Sequence, residues 1–255
     1  MSPTLKKSGL LLTAAMLSGV LFELAAFRRG VERARSLASS AQRFERRVPV
    51  RSHSIVVLGD STGVGVGASL PEESIAGLLA ADFPGADIVN VSESGARVST
   101  AIAQAARCIE EGQQFDIALL HVGGNDVVRG TPPDRLSDEC ETLMLELRRL
   151  ARRTVWLGPP NVGSIPLFPL PYSWLLAARS RTASRIFSES AARHDADFVD
   201  FSAPEHGAHF RRSRRQHFAD DRFHPNSSSY RYGYAAARQA MKLGAAPEGR
   251  TAFAD

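Results

Sequence analysis

Asp221 and His224 stand three positions apart and are followed by Pro225, while Ser61 closes Gly59-Asp60-Ser61 at the end of the first apolar run. A carboxylate, an imidazole and a hydroxyl are the parts of a nucleophilic relay. Serine is a weak nucleophile alone, a histidine can take its proton, and a carboxylate can hold that ring in the required tautomer. An isolated Ser61 would read as a turn or cap residue. A third cluster, Gly123-Gly124-Asn125-Asp126, directly follows the apolar run 117–122. Acyl transfer needs donors aimed at the developing oxyanion. Gly95, in Ser94-Gly95-Ala96, can offer a backbone N–H and Asn125 a side-chain amide. Singly, these two also fit a turn glycine and a loop cap. Together the clusters read as a serine hydrolase.

Short apolar runs at 55–58, 88–91, 117–122, 155–157 and 198–201 alternate with helical patterns over 72–82, 100–111, 138–151 and 174–194. Such alternation predicts an α/β domain with a mostly parallel sheet covered on both faces. Ligands of such sheets bind outside the carboxyl ends of the strands, where the polar clusters fall. The glycines at 59, 63, 65 and 67 let the chain turn sharply from strand to helix around Ser61.

The blocks Gly59-Asp60-Ser61, Gly95, Gly123-Gly124-Asn125-Asp126 and Asp221-Arg222-Phe223-His224 resemble the four signatures of the SGNH (GDSL) hydrolases, over roughly residues 52–243. The resemblance implies a flavodoxin-like three-layer α/β/α sandwich with a mostly parallel five-stranded sheet. It implies Ser61 as nucleophile, His224 as base and Asp221 as its partner. An oxyanion hole would be formed by the Ser61 and Gly95 N–H groups and the Asn125 side chain. Thr62 stands where the name-giving motif has leucine, which bears on subfamily and not on chemistry. The expected activity is hydrolysis of carboxylic esters, on small-molecule acyl or lipid-like substrates and without a cofactor. Carbohydrate O-acetylesterase and acyl thioesterase are the alternatives on the same fold.

Gly63, Gly65 and Ala68 also satisfy the dinucleotide fingerprint, with Asp82 or Asp87 about 20 residues on. That reading leaves the Gly-Gly-Asn-Asp block and the Asp-His pair without roles, and a non-catalytic binding module leaves the whole relay unused. Net charge is +4 and the only lysines are Lys6, Lys7 and Lys242, so the basic character is arginine. No repeat or aromatic-rich basic stretch points to nucleic acid. The seven histidines are scattered without metal-ligand spacing, His121 reading as a packed structural residue, and Cys108 and Cys140 as packed thiols with any bridge unassigned.

With 255 residues and 44% hydrophobic content, one catalytic domain over 52–245 is expected, with a C-terminal tail at 246–255. Lys6 and Lys7 precede the mostly apolar stretch 8–27, and Arg28 and Arg29 follow it. Residues 1–30 therefore read as a membrane anchor or signal segment, which would make the protein membrane-associated or exported. An amphipathic or core-packed helix is the alternative for this stretch. Residues 31–51, rich in arginine, read as a basic linker or exposed helix, so that a fragment lacking residues 1–50 should fold and act alone. The proline-stiffened segment 159–174 carries dense apolar side chains. From it Phe168 and Trp174 are the candidate acyl-pocket residues, with membrane contact or simple packing as the other uses. Arg211, Arg212, Arg214 and Arg215 form a basic run that fits an anionic substrate group or a solvated loop.

Overall fold

In this computed structural model, residues 3–212 and 214–242 are described. The expected tail and the side chains of Lys6, Lys7, Arg211, Arg212, Arg214 and Arg215 lie outside what is described. The elements run α1 (Pro3–Ser40), β1 (His53–Gly59), α2 (Ser61–Val64), α3 (Ile75–Asp82), β2 (Ala86–Asn90), α4 (Val98–Glu110) and β3 (Phe115–His121). There follow α5 (Gly124–Arg129), α6 (Pro133–Leu150), β4 (Ala151–Leu157), α7 (Tyr172–Arg193), β5 (Asp197–Val199), α8 (Pro204–Arg212), α9 (Arg214–His217) and α10 (Ser227–Met241).

All five strands are parallel, in the order β2-β1-β3-β4-β5. The strands alternate sides as the pleat demands, yet both sides are buried. Val56, Leu58, Ala118, Leu120 and Trp156 face α4, α6 and α7, whereas Ile55, Val57, Ile117, Leu119, Val155 and Leu157 face α3 and α10. Helix patterning fits this placement. In α6 the buried Leu136, Cys140, Leu143, Met144, Leu147 and Leu150 form one stripe at helical spacing. Local caps set two helix starts: Ser74 Oγ accepts the Gly77 N–H of α3, and Asn226 Oδ1 accepts the Ser229 N–H of α10. The predicted α/β sandwich with a five-stranded sheet is the fold. Cys108 and Cys140 are buried free thiols on the α4/α6 side.

Of the linker or exposed helix expected for residues 31–51, a helix is present as far as Ser40. Helix α1 runs without a break past residue 30, and Phe27 and Val31 pack on the core, Phe27 against Phe168. After α1, Arg46 bridges antiparallel to Ile88 at the edge of the sheet, its N–H donating to Ile88 O at 2.9 Å and its carbonyl accepting from Ile88 N–H at 2.7 Å. The Arg46 guanidinium donates to the carbonyls of Ala80, Phe83 and Ala86, and Arg47 pairs with Asp87 at 3.1 Å. These two arginines of the basic segment are bound to the C-terminal carbonyls of α3 and to β2, where a guanidinium complements the helix dipole. Among the described residues no helix is long and apolar enough to cross a membrane.

Candidate active site

The nucleophile loop begins with a forced turn. Gly59 has φ 129°, and a Cβ there would lie 1.8 Å from the carbonyl oxygen of His121, so only glycine fits. That carbonyl accepts the Asp60 N–H at 2.8 Å. Asp60 then caps α2, its Oδ1 accepting the Thr62 N–H at 2.9 Å, and Ser61 becomes the first residue of this one-turn helix. Gln104, wholly buried in α4, clasps Gly59 on both sides: Oε1 accepts its N–H at 2.9 Å and Nε2 donates to its carbonyl at 3.1 Å. No motif flags Gln104. Its one signal is a polar residue on the apolar face shared by Ala101, Ala105 and Cys108.

The histidine turn meets this loop backbone to backbone. A Cβ on Gly67 (φ 92°) would fall 2.3 Å from Pro225 O, and Tyr230 Oη donates to Val66 O at 2.8 Å. Within the turn, Asp221 Oδ1 accepts the N–H groups of Phe223 (2.9 Å) and His224 (3.0 Å), while Oδ2 accepts from His224 Nδ1 at 2.6 Å. With Nδ1 carrying the proton toward Asp221, Nε2 is left as the acceptor facing Ser61 Oγ at 3.0 Å. Burial alone would raise the Asp221 carboxyl, but the hydrogen bond and charge of His224 and the two N–H donors outweigh it and hold the carboxyl below its usual range. These are the three residues the sequence singled out, drawn into one relay.

Gly95 follows β2 and Asn125 follows β3, the two strands that flank β1; Asn125 lines the cavity at Ser61, and Gly95 is not among its lining residues. Gly95 has φ 84°, in the left-handed region that favours glycine. Asn125 Nδ2 donates one hydrogen to Ala96 O at 3.0 Å, which orients the amide and leaves its second hydrogen for a ligand. Asp126, to which the sequence assigned no separate role, is buried and joins two elements: Oδ2 accepts the Val98 N–H at the start of α4 and Oδ1 accepts from Thr131 Oγ1.

A cavity of about 120 Å³ opens at Ser61 and His224. It touches both cores across the carboxyl edge of the sheet, with Val128, Val162, Ile165 and Phe223 on one side and Ile75, Leu157, Phe201 and Tyr230 on the other. Asp60 and His121 also line it. Burial is the main influence on both: it lifts the Asp60 carboxyl to about 6 against the opposing pull of the Thr62 N–H and His224, and it lowers His121 to about 4. His121 is thus a buried residue at the site and not only a packed strand end.

Phe168 and Trp174, the two candidate pocket residues, do not line the cavity. Phe168 sits behind Phe223 in a cluster of rings with Phe27 and Tyr172, and Trp174 is 68% exposed on the outer surface of α7. Part of the apolar density of 159–174 packs the loop onto the core and against α1, while Val162 and Ile165 supply the cavity wall. Among the described residues no group of three or more His, Cys, Asp or Glu is placed to hold a metal ion.

The profile of the GDSL-like lipase/acylhydrolase family matches residues 57–232. The chain therefore belongs to that family and is an ester-hydrolysing enzyme. No match was found among curated protein sequences. Solved structures with the same fold include a member of the lipolytic G-D-S-L family from Veillonella parvula, at 18% identity and TM-score 0.61, covering 74% of this chain and 99% of that one. A catalytic mutant of an acetylxylan esterase from Geobacillus stearothermophilus aligns at 19% identity and TM-score 0.59, over 76% and 96% of the two chains. The psychrotrophic esterase EstA from Pseudoalteromonas aligns at 19% identity and TM-score 0.57, over 74% and 96%.

Proposed function

We propose that the protein is a serine esterase acting through an acyl-enzyme on hydrophobic acyl esters, with Ser61 as nucleophile, His224 as general base and acid, and Asp221 as the group that orients His224. The continuous relay from Asp221 Oδ2 through the imidazole to Ser61 Oγ, at 2.6 and 3.0 Å, carries this reading. Ser61 Oγ attacks the ester carbonyl while its proton passes to His224 Nε2. The oxyanion is held by the N–H groups of Ser61 and Gly95 and the free Asn125 amide hydrogen. Collapse expels the alcohol with the proton from His224, and water then repeats the sequence on the acyl-enzyme.

The cavity lining is mainly apolar, and its volume is close to the roughly 150 Å³ at which an apolar cavity accepts benzene. This supports acyl groups of about four to eight carbons. Residues 8–27 would bring the enzyme to a membrane or its far side. Their basic flanks support that, as do the exposed Leu21, Phe22 and Leu24 on α1. A fluorophosphonate probe should label Ser61 and leave Ser61→Ala unlabelled and inactive. A kcat/KM that falls steadily from acetyl to hexanoyl esters would favour the acetylesterase reading instead.

A further inference from the structure

The cavity extends onto the α3/α10 side of the sheet as an arm. Its walls there are Ile75, Leu157, Phe201, Tyr230 and Gly233, all buried. His121 belongs to the same side, since it continues the alternation of Ile117 and Leu119, both of which face α3 and α10. Its Nε2 is buried and has no hydrogen-bond partner among the described residues. The residue is 3% exposed, and it also lines the cavity. A buried polar atom without a partner is costly in a fold that otherwise satisfies its site residues closely, as Gln104 and Asp126 do here.

We propose that this arm holds the acyl chain of the substrate and that His121 Nε2 hydrogen-bonds a hydroxyl group on that chain, making the preferred substrates esters of hydroxylated short- to medium-chain acids. The inference rests on the esterase reading above. A hydroxyl both donates and accepts, so it satisfies Nε2 in either neutral tautomer. Burial disfavours the charged ring, which keeps the imidazole in those neutral forms at neutral pH. The acyl side is favoured because the acyl group stays on Ser61 while the alcohol leaves and water enters. An arm walled by buried residues suits the part that is retained. One hydrogen bond to a neutral group corresponds to a discrimination of about three- to tenfold.

Gly233 offers an independent probe of the arm. A Cβ at this position would stand 3.4 Å from Ile75 Cδ1 and 3.7 Å from Phe201, which is ordinary contact, so Gly233→Ala narrows the arm without forcing α10 to move. Inside a helix the change also favours folding.

The test measures kcat/KM of the full chain on acetyl, hexanoyl, 2-hydroxyhexanoyl and 3-hydroxyhexanoyl esters of one phenol, each normalised to its hydrolysis in buffer. Hexanoyl monoesters of propanol and 1,2-propanediol form the comparison on the alcohol side. At least one hydroxyacyl ester should exceed hexanoyl by about three- to tenfold, and in His121→Phe that ratio should fall to about one. Gly233→Ala should lower the hexanoyl-to-acetyl ratio several-fold. A wild-type ratio of one or less for both hydroxy isomers overturns the proposal, as does a ratio that survives in His121→Phe. Discrimination that follows the diol instead of the acyl hydroxyl overturns the assignment of the arm. If His121→Phe does not fold, the wild-type ratios and the Gly233→Ala profile decide alone. Absence of any ester turnover sensitive to Ser61→Ala would overturn the esterase reading itself, and is seen on the acetyl ester before the hydroxyacyl comparison is made.

Discussion

Gly30 of α1 and Leu167 of the loop after β4 interlock: a Cβ on Gly30 would lie 2.3 Å from Leu167 Cδ1 and 3.4 Å from the carbonyl oxygen of Asp221. Leu167 N–H in turn donates to Arg222 O at 3.1 Å, and the Arg222 guanidinium donates to Pro166 O at 2.8 Å. The N-terminal helix therefore lies directly against the turn that carries Asp221 and His224. Gly30→Val should lower stability by about 1–3 kcal/mol through overpacking at this contact. Removal of residues 1–50 should cost more and yield a poorly folded, weakly active fragment, while removal of residues 1–20 should keep activity. Urea unfolding and ester turnover of the three variants check this against the expectation that the domain begins near residue 52.

Arg46 spans the carbonyls of Ala80, Phe83 and Ala86. Arg46→Ala removes these hydrogen bonds to the end of α3 and the start of β2 and should cost about 1–3 kcal/mol in urea unfolding, the range for charge-assisted hydrogen bonds. Arg46→Lys should recover only part of it, because an ammonium cannot reach three carbonyls in one plane.

Asp60 and His121 should make opposing contributions to stability over nearly the same pH range. Asp60 has its folded pKa raised to about 6, so it favours the folded state at low pH and that contribution is lost as pH rises from 3.8 toward 6. His121 is lowered from 6.5 to about 4, so its contribution is present above 6.5 and is lost as pH falls toward 4. In the wild type the two slopes largely cancel between pH 4 and 6. Asp60→Asn keeps the cap on Thr62 and should unmask a stability that rises by about 2–3 kcal/mol from pH 4 to 6.5. Chemical unfolding at half-unit steps of pH reads this, and a flat profile in Asp60→Asn would contradict it.

Asn125→Ala should reduce kcat by about 10²- to 10³-fold with a smaller change in KM, the pattern of a donor that acts on the oxyanion. Steady-state kinetics on a hexanoyl ester, with circular dichroism to confirm the fold, tests it.

Trp174→Ala should leave the acyl chain-length profile within about twofold of wild type, because its side chain is on the outer surface and not in the cavity. Ile165→Ala, which enlarges the lined wall, should shift the optimum to longer chains. Turnover across acetyl to octanoyl esters distinguishes the two.

Ser61, Asp221, His224 and Asn125 were legible in the sequence because each sits where strand periodicity breaks into glycine, proline or polar residues, and such breaks are local. The strands and their mostly parallel pairing were legible for the same reason, since short apolar runs separated by amphipathic helices permit few other arrangements, while the strand order came from the structure. What the sequence by itself determined was the class of ester-hydrolysing enzyme and the layer architecture. The tertiary structure decided which side chains share a cavity. Phe168 and Trp174 have the composition of a pocket wall, yet one packs behind Phe223 and the other faces outward, whereas Ile75, Phe201 and Tyr230 come from distant segments to line the cavity. Gln104 and Arg46 gained their roles only through contacts with Gly59 and the end of α3, and no local pattern encodes a hydrogen bond closed across dozens of residues. Periodicity reports which face of an element is buried, and only packing reports against what.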